Sequence, residues 1–105
     1  MESQFNSFAD FAFQEVQANL KEPKKYKVIM FNDDYTTKDF VVEILEKVFH
    51  KSTNEAILLM ETVHSTGKAV IGVYTHDIAL TRTVLVVQLA RKNNFPLRCE
   101  IKEEG

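Results

Sequence analysis

The sequence predicts an α+β domain in which a three-stranded antiparallel sheet packs against three helices, in the order βααβαβ. Three observations support this prediction. β-Branched and aromatic residues concentrate in three short runs, which is typical of strands. Apolar residues recur at helical spacing in three segments that lie between the first strand and the last. Ser, Thr, Asn and Gly residues stand at the junctions, where caps and turns form.

Composition fits one soluble domain. The chain has 105 residues, 45% of them apolar, which suits a single modest core. Its formal net charge of −2 gives no electrostatic case for nucleic acid. No apolar run is long enough for a membrane span, and the first 20 residues lack the basic start of a targeting peptide. With Cys99 as the single cysteine, a reducing compartment is expected. We therefore expect a monomer of the bacterial cytoplasm, with an organellar stroma as the alternative.

Local patterns predict an N-terminal extension, the first strand and the first helix. Residues 1–22 carry Phe5, Phe8, Ala12 and Val16 at helix-like spacing, with other Phe residues outside that stripe. We therefore expect a flexible extension with nascent helical character, with a docked helix as the alternative. Residues 23–105 form the predicted core. Its first strand is "YKVIMF", residues 26–31. Thr36 and Asp39 then resemble a capping box. The helix that follows has one broad apolar face made of Phe40, Val41, Ile44, Leu45, Val48 and Phe49.

The second helix begins at a standard capping box, Ser52 with Glu55, and runs to about Thr66. Gly67 is the expected stop. The predicted inner face consists of Ala56, Ile57, Met60, Val63 and His64.

A strand at 69–75 leads into the third helix, which Thr75 or Asp77 caps and the segment "NNFP" ends. Its apolar stripe comprises Ile78, Thr81, Leu85 and Leu89. The last strand, residues 97–102, alternates, with Leu97, Cys99 and Ile101 pointing inward.

The segment Asn32-Asp33-Asp34, at the first strand–helix junction, has two interpretations. It is either a turn that caps the helix or a set of carboxylates that receives a cation. A metal would need further ligands, and His50, His64 and His76 are not spaced for one. No phosphate-binding glycine loop or nucleophile motif is present. We predict no catalytic residue, cofactor or metal. His64 either interacts with the helix C-terminus or lies at the edge of a pocket.

Four blocks of the sequence together resemble the ClpS family. They are "YKVIMFNDDYT", "FVVEIL", "METVHSTGKAVIGVYT" and "ARKNNFPLRCEI", which span roughly residues 26–102. ClpS proteins are adaptors that deliver N-degron substrates to Clp-type AAA+ unfoldase–protease machines. The resemblance implies that this chain binds the free α-amino group and the large apolar first residue (Leu, Phe, Tyr or Trp) of such substrates. It also implies the fold of that family, which the C-terminal domain of the ribosomal stalk protein shares.

The resemblance further implies roles for individual residues. Asn32, Asp33 and His64 would hold the α-amino group. The first side chain would enter a pocket lined by Asp34, Thr36, Lys38, Val41, Met60, Val63 and Leu97. The family typically has Pro-Met where this chain has Thr37-Lys38, and that Met forms a gate at the pocket mouth. Lys38 is therefore expected to alter side-chain selection without abolishing amine recognition.

A second surface, at the start of the third helix, is implied to contact the N-terminal domain of the unfoldase. Asp77 and Arg82 keep the charge signs of the family, whereas Leu80 stands where the family often has Glu. The choice between a ClpA-type and a ClpC-type unfoldase therefore stays open. The alternative is an ordinary solvated helix face.

Two other functions compete with the adaptor interpretation. A small metal-dependent hydrolase would use Asp33, Asp34 and His64, and its activity would respond to chelators. A plain assembly domain, like that of the ribosomal stalk protein, would bind no ligand at the Asp33–His64 corner.

Overall fold

The computed structural model of this chain describes Ala9 and residues 23–105. The elements run β1 (Lys25–Phe31), α1 (Lys38–Lys47), α2 (Thr53–Thr66), β2 (Lys68–Thr75), α3 (His76–Lys92) and β3 (Arg98–Glu103). The strands form one antiparallel sheet in the order β2-β1-β3. The predicted α+β fold in the order βααβαβ is confirmed. Apart from Ala9, the predicted N-terminal extension lies outside the described residues.

Alternation along the central strand β1 determines which face of the sheet the helices cover. Val28 and Met30 are fully buried, whereas Lys27 before them and Ile29 between them are only partly covered. Across the sheet, Met30 pairs with Cys99 of β3, which is also buried. One face therefore meets the helices and the other stays open, as expected for side chains that alternate with a period of two.

The apolar face predicted for the first helix is confirmed, because all six of its residues are buried, four within α1 and the other two, Val48 and Phe49, in the turn that follows it. They join the buried residues of β1, α2 and α3 in one core. No charged or polar side chain is buried among residues 23–105. The core is therefore held by apolar burial, and α1 is anchored to it along its whole length.

The faces predicted for α2 and α3 need correction. Ile57, which is 42% exposed, and His64, which is also exposed, do not belong to the inner face of α2, where only Ala56, Met60 and Val63 are buried. The predicted stripe of α3 faces outward, and Ile78, Leu85 and Leu89 are exposed. The buried residues of α3 are instead Ala79, Val86 and Ala90. Small residues allow a helix to approach a sheet closely, and both stripes have helical spacing, so periodicity alone did not distinguish them.

The predicted cap of α1 was one residue off. The N-cap is Thr37, whose Oγ1 accepts a hydrogen bond from the Phe40 N–H at 3.1 Å. Thr36 does not cap the helix because its hydroxyl is engaged by Asp33. The Ser52 cap of α2 is confirmed, with Ser52 Oγ accepting from the Glu55 N–H at 3.2 Å. Two adjacent threonines offer the same local signal, and the loop before the helix decides between them.

Gly67 ends α2 as predicted and also ties this helix to the end of β1. Its φ of 94° is left-handed, a conformation that glycine adopts without steric cost. Its N–H donates to the Val63 carbonyl, and its own carbonyl accepts from the Asn32 N–H at 2.9 Å. The C-terminal end of α2 is therefore held against the loop that follows β1.

Candidate functional site

The loop between β1 and α1 is organised by the carboxylate of Asp33. Asp33 Oδ1 accepts hydrogen bonds from the backbone N–H of Tyr35 at 2.8 Å and of Thr36 at 2.7 Å. Asp33 Oδ2 accepts from the Thr36 hydroxyl at 2.7 Å. An Asp side chain that bonds to the backbone two and three residues ahead forms a tight turn. The turn interpretation of this segment is therefore correct for Asp33, and the carboxylate is held in one orientation.

These hydrogen bonds also keep Asp33 ionised. Partial burial raises the pKa of its carboxyl, but the bonds from Thr36 and Tyr35, helped by the positive charge of Arg91, outweigh burial. The net result is a pKa below the ordinary 3.8 of an Asp. An ionised carboxylate has about four acceptor positions. Since three are used within the loop, Asp33 retains a fixed negative charge and room for about one further donor.

Backbone contacts bring His64 to the same corner. It lies in the last turn of α2, one turn before the Gly67 carbonyl that accepts from Asn32. The His64 side chain is exposed, so it is available at the surface rather than packed in the core. The sequence interpretation of His64 as a residue at the edge of a pocket fits this placement.

A cavity of about 220 Å³ opens between this loop and helices α1 and α2. Its apolar part is formed by Val41, Met60 and Val63, which are all buried. Its polar part lies on the loop and at the helix ends, and the complete lining is Asn32, Asp33, Asp34, Thr36, Lys38, Val41, Met60, Val63 and His64. The volume is below the roughly 300–1,000 Å³ of pockets for drug-sized ligands. It suits one amino-acid side chain.

The cavity assembles almost all residues that the sequence nominated for one site. The three residues nominated for the α-amino group line it together with six of the seven nominated for the side-chain pocket. Leu97 is the exception. It is only 1% exposed, belongs to the core, and is not among the residues that line the cavity.

Two charged residues near the cavity were missed from the sequence. Glu61 lies on α2 beside Met60, and its Oε1 is 3.6 Å from Lys38 Nζ. Arg91 on α3 lowers the pKa of Asp33 and donates to the carbonyls of Phe95 and Leu97 at 2.7 and 3.0 Å. Helical spacing could have suggested Glu61, which is one turn from His64. Arg91 reaches the site through tertiary packing, which the sequence does not reveal.

The residues nominated for an unfoldase lie on a different surface, along α3. Asp77 and Leu80 are exposed, Leu80 by 46%. Arg82 is partly buried, because it donates to the Val48 carbonyl at 2.6 Å and lies over the Tyr74 ring, 5.2 Å from its centroid. Beside them runs an open groove of about 550 Å³, lined chiefly by Ile78, Thr81, Leu85 and Leu89. This groove exceeds the cavity in size, and its lining also includes Lys47, Val48, His50, Asp77 and Arg82.

The described part of the chain contains no sign of a metal site, a membrane span or a reactive thiol. There, no three His, Cys, Asp or Glu side chains are grouped so that they could hold a metal ion. None of the described helices combines the length and the hydrophobicity needed to span a membrane. Cys99 is buried, and burial raises the pKa of its thiol to about 12, so little thiolate is present near neutral pH.

The pH dependence of stability should report on the Asp33 turn. Because its folded-state pKa is lowered, the ionised carboxylate stabilises the fold above the unfolded value of about 4, and this stabilisation is lost as pH falls through the folded value. Urea unfolding at a series of pH values should show wild type more stable than Asp33→Asn near neutrality, with the gap closing in acid. A gap that is independent of pH would contradict this account.

Comparisons with known proteins agree on one family. The pattern of the family described as "ATP-dependent Clp protease adaptor protein ClpS" matches residues 21–100. The chain is 50% identical over 91 residues to an "ATP-dependent Clp protease adapter protein ClpS" of Acetivibrio thermocellus, covering 87% of this chain and 92% of that protein. Among solved structures, it resembles Agrobacterium tumefaciens ClpS2 bound to L-phenylalaninamide, with a TM-score of 0.76 and 38% identity. That match covers 79% of this chain and all of the other.

Proposed function

This chain belongs to the ClpS family of non-catalytic Clp protease adaptors, and we propose that its cavity binds the N-terminal residue of N-degron substrates. The α-amino group would lie at the corner formed by Asn32, Asp33 and His64. The first side chain, a Leu, Phe, Tyr or Trp, would enter the apolar part of the cavity. The ligand of the similar ClpS2 structure, L-phenylalaninamide, has both parts, a free amine and a large apolar side chain.

One observation carries this proposal. The same 220 Å³ cavity has a preorganised carboxylate on one side and three buried apolar side chains on another. An ammonium has three N–H donors. Its hydrogen bonds would be accepted by Asp33 Oδ2, by the Asn32 carbonyl group and by an unprotonated ring nitrogen of His64. Hydrogen bonds that involve a charge contribute roughly 1.5–3 kcal/mol each. Burial of a Leu- or Phe-sized side chain contributes about as much.

Both contributions are needed for a chain end to be distinguished from an internal residue. An internal Leu has no α-ammonium, and a polar first residue leaves the apolar part of the cavity unfilled. Asp34 lines the cavity but is exposed, so its carboxylate keeps contact with water. Its charge therefore adds to the negative field at the amine corner without the cost of a buried ion.

The test is a titration with a short peptide that begins with Leu, beside its N-acetylated twin. Acetylation removes the positive charge and two donors from the amine but leaves the side chain unchanged. We expect saturable binding of the free-amine peptide and at least a 100-fold loss of affinity on acetylation, from the loss of two or more charge-assisted bonds. Isothermal titration calorimetry measures both.

A peptide with the same composition that begins with Ser is the control for the side-chain pocket. It carries the amine but lacks the apolar group, and it should bind more weakly than the Leu peptide by about 10-fold or more. Equal binding of the free and acetylated peptides would contradict the proposal. Binding of neither would favour an assembly domain, whose function lies in protein contacts elsewhere.

The partner of the adaptor is proposed to be the N-terminal domain of a ClpA- or ClpC-type unfoldase. Asp77, Leu80 and Arg82 would contribute to that interface, and residues 1–22 would form an extension that the unfoldase engages during delivery. Arg82 also holds the end of α1 through the Val48 carbonyl. Its replacement would therefore change local structure as well as any interface, whereas Asp77 and Leu80 offer cleaner variants.

A further inference from the structure

The ion pair between Lys38 and Glu61 lies at the cavity, and Glu61 has none of the roles described above. Lys38 is the first residue of α1, and Val41, one turn later, forms part of the apolar lining. Glu61 lies on α2, next to the lining residue Met60. Lys38 Nζ is 3.6 Å from Glu61 Oε1, and the two side chains are 51% and 55% exposed. The pair therefore joins the two helices that flank the cavity, at its solvent side.

The positive charge of Lys38 explains the importance of its ion pair with Glu61 at the cavity. Lys38 is the only lysine or arginine among the residues that line the cavity, where Asp33, Asp34 and His64 supply the other titratable groups. An unpaired ammonium there would repel the ammonium of a substrate, because like charges a few ångströms apart interact strongly outside bulk water. Arg91 already places one positive charge near Asp33. The Glu61 carboxylate beside Lys38 offsets the second positive charge, that of the Lys38 ammonium.

We propose that Glu61 is a positioning residue that sets substrate preference by holding Lys38. The ion pair neutralises the Lys38 ammonium, so that the amine corner keeps its negative field. It also fixes the aliphatic stem of Lys38 across one side of the cavity mouth, as long basic side chains do when they cover apolar surface. The held stem narrows the mouth and disfavours the largest first residues. This inference rests on the proposed function of the cavity.

The proposal predicts a specific pattern in Glu61→Gln, which keeps the shape of the side chain but removes its charge. The freed Lys38 ammonium should weaken the binding of free-amine peptides that begin with Leu or Phe. The expected loss is about two- to fivefold, the range typical of an exposed ion pair. The loss should be smaller for the Phe peptide, since the mouth is no longer narrowed. Affinity for Phe relative to Leu therefore rises.

Two further variants make the mechanism testable. In a Lys38→Met background, Glu61→Gln should change neither affinity nor preference, because its effect acts through Lys38. Glu43→Gln is the matched control: it removes the carboxylate of another exposed ion pair, with Lys47 at 2.6 Å, on residues that do not line the cavity. The Glu43→Gln variant should keep the wild-type affinity for both the Leu and the Phe peptide. In about 1 M salt, which screens exposed charges beyond roughly 3 Å, the Glu61→Gln effect should shrink.

Each outcome decides the proposal. An equal effect of Glu61→Gln with and without Lys38 would show that Glu61 acts directly on the substrate amine, and would overturn it. The proposal would also be overturned by an unchanged preference for Phe over Leu in Glu61→Gln, or by an equal loss of affinity in Glu43→Gln. Peptide binding by the unaltered protein distinguishes failure of the Glu61 proposal from failure of the proposed function. If it binds the free-amine peptides but not the acetylated one, the proposed function stands whatever Glu61 does. If it binds neither free-amine peptide, both fall.

Discussion

Asp33→Asn is expected to weaken binding of a free-amine Leu peptide by about 10-fold or more, a loss of at least 1.4 kcal/mol. Asparagine keeps a carbonyl oxygen that can accept from the backbone of Tyr35 and Thr36, so the turn survives. Its amide nitrogen can donate to the Thr36 hydroxyl, which reverses that bond rather than removing it. The change therefore removes the charge that faces the amine while it preserves the loop.

Asp34→Asn is the matched control for this experiment, since Asp34 is adjacent and lines the same cavity but lacks the hydrogen bonds that orient Asp33. Its effect should be clearly smaller and should fade with salt, because its exposed charge is readily screened. Asp33→Ala should bind more weakly still, because it also removes the turn. Equal losses for the Asp33→Asn and Asp34→Asn variants would mean that a general negative field, and not the oriented carboxylate, recognises the amine.

Leu45→Ala is expected to lower the free energy of unfolding by about 2–5 kcal/mol, because it leaves a cavity at a site with no solvent exposure. Leu45 lies on the face of α1 that joins the core, and every fully buried residue of that core within residues 23–105 is apolar. For a domain of this size, such a loss is a large part of the total stability. Urea unfolding followed by circular dichroism measures it.

Val42→Ala on the same helix is the control, since Val42 is only partly buried, and the expected loss is below about 1.5 kcal/mol. Under conditions in which Leu45→Ala stays folded, its affinity for the Leu peptide should match wild type, because Leu45 does not line the cavity. A parallel loss of stability and affinity would show that the cavity depends on core packing more directly than we infer. Equal losses of stability in the two variants would contradict the burial argument.

The site combines two kinds of physical determinant, and they come from different parts of the chain. The amine corner is built mostly from local structure: an Asp turn closed over three residues and a helix end fixed by Gly67. The apolar part depends on the packing of α1 against α2, which brings Val41 next to Met60 and Val63. The hydrogen bond from the Asn32 N–H to the Gly67 carbonyl joins the amine corner to α2. The amine and the first side chain of a substrate are therefore bound at a fixed separation.

Much of this was determined by sequence alone. Hydrophobic periodicity and the cap signals at Ser52 and Gly67 predicted the order of elements, because such signals act within one or two turns of chain. The six apolar positions of α1 and the turn after it were predicted correctly because they form one continuous broad stripe. The resemblance of Asn32, Asp33 and His64 to a family motif nominated an amine site, and the fold brings all three to one cavity.

Tertiary structure decided the rest, wherever two local solutions were equivalent or the partner was distant in sequence. α3 has two stripes with the same spacing, and only packing against the sheet selected the one with Ala79 and Ala90. Leu97 was nominated for the pocket, but it lies in the core and is not among the residues that line the cavity. Lys38 and Glu61 lie 23 positions apart, too far for any local rule to pair them. Their approach depends on how α1 and α2 pack, because contact between side chains is set by the positions of whole helices.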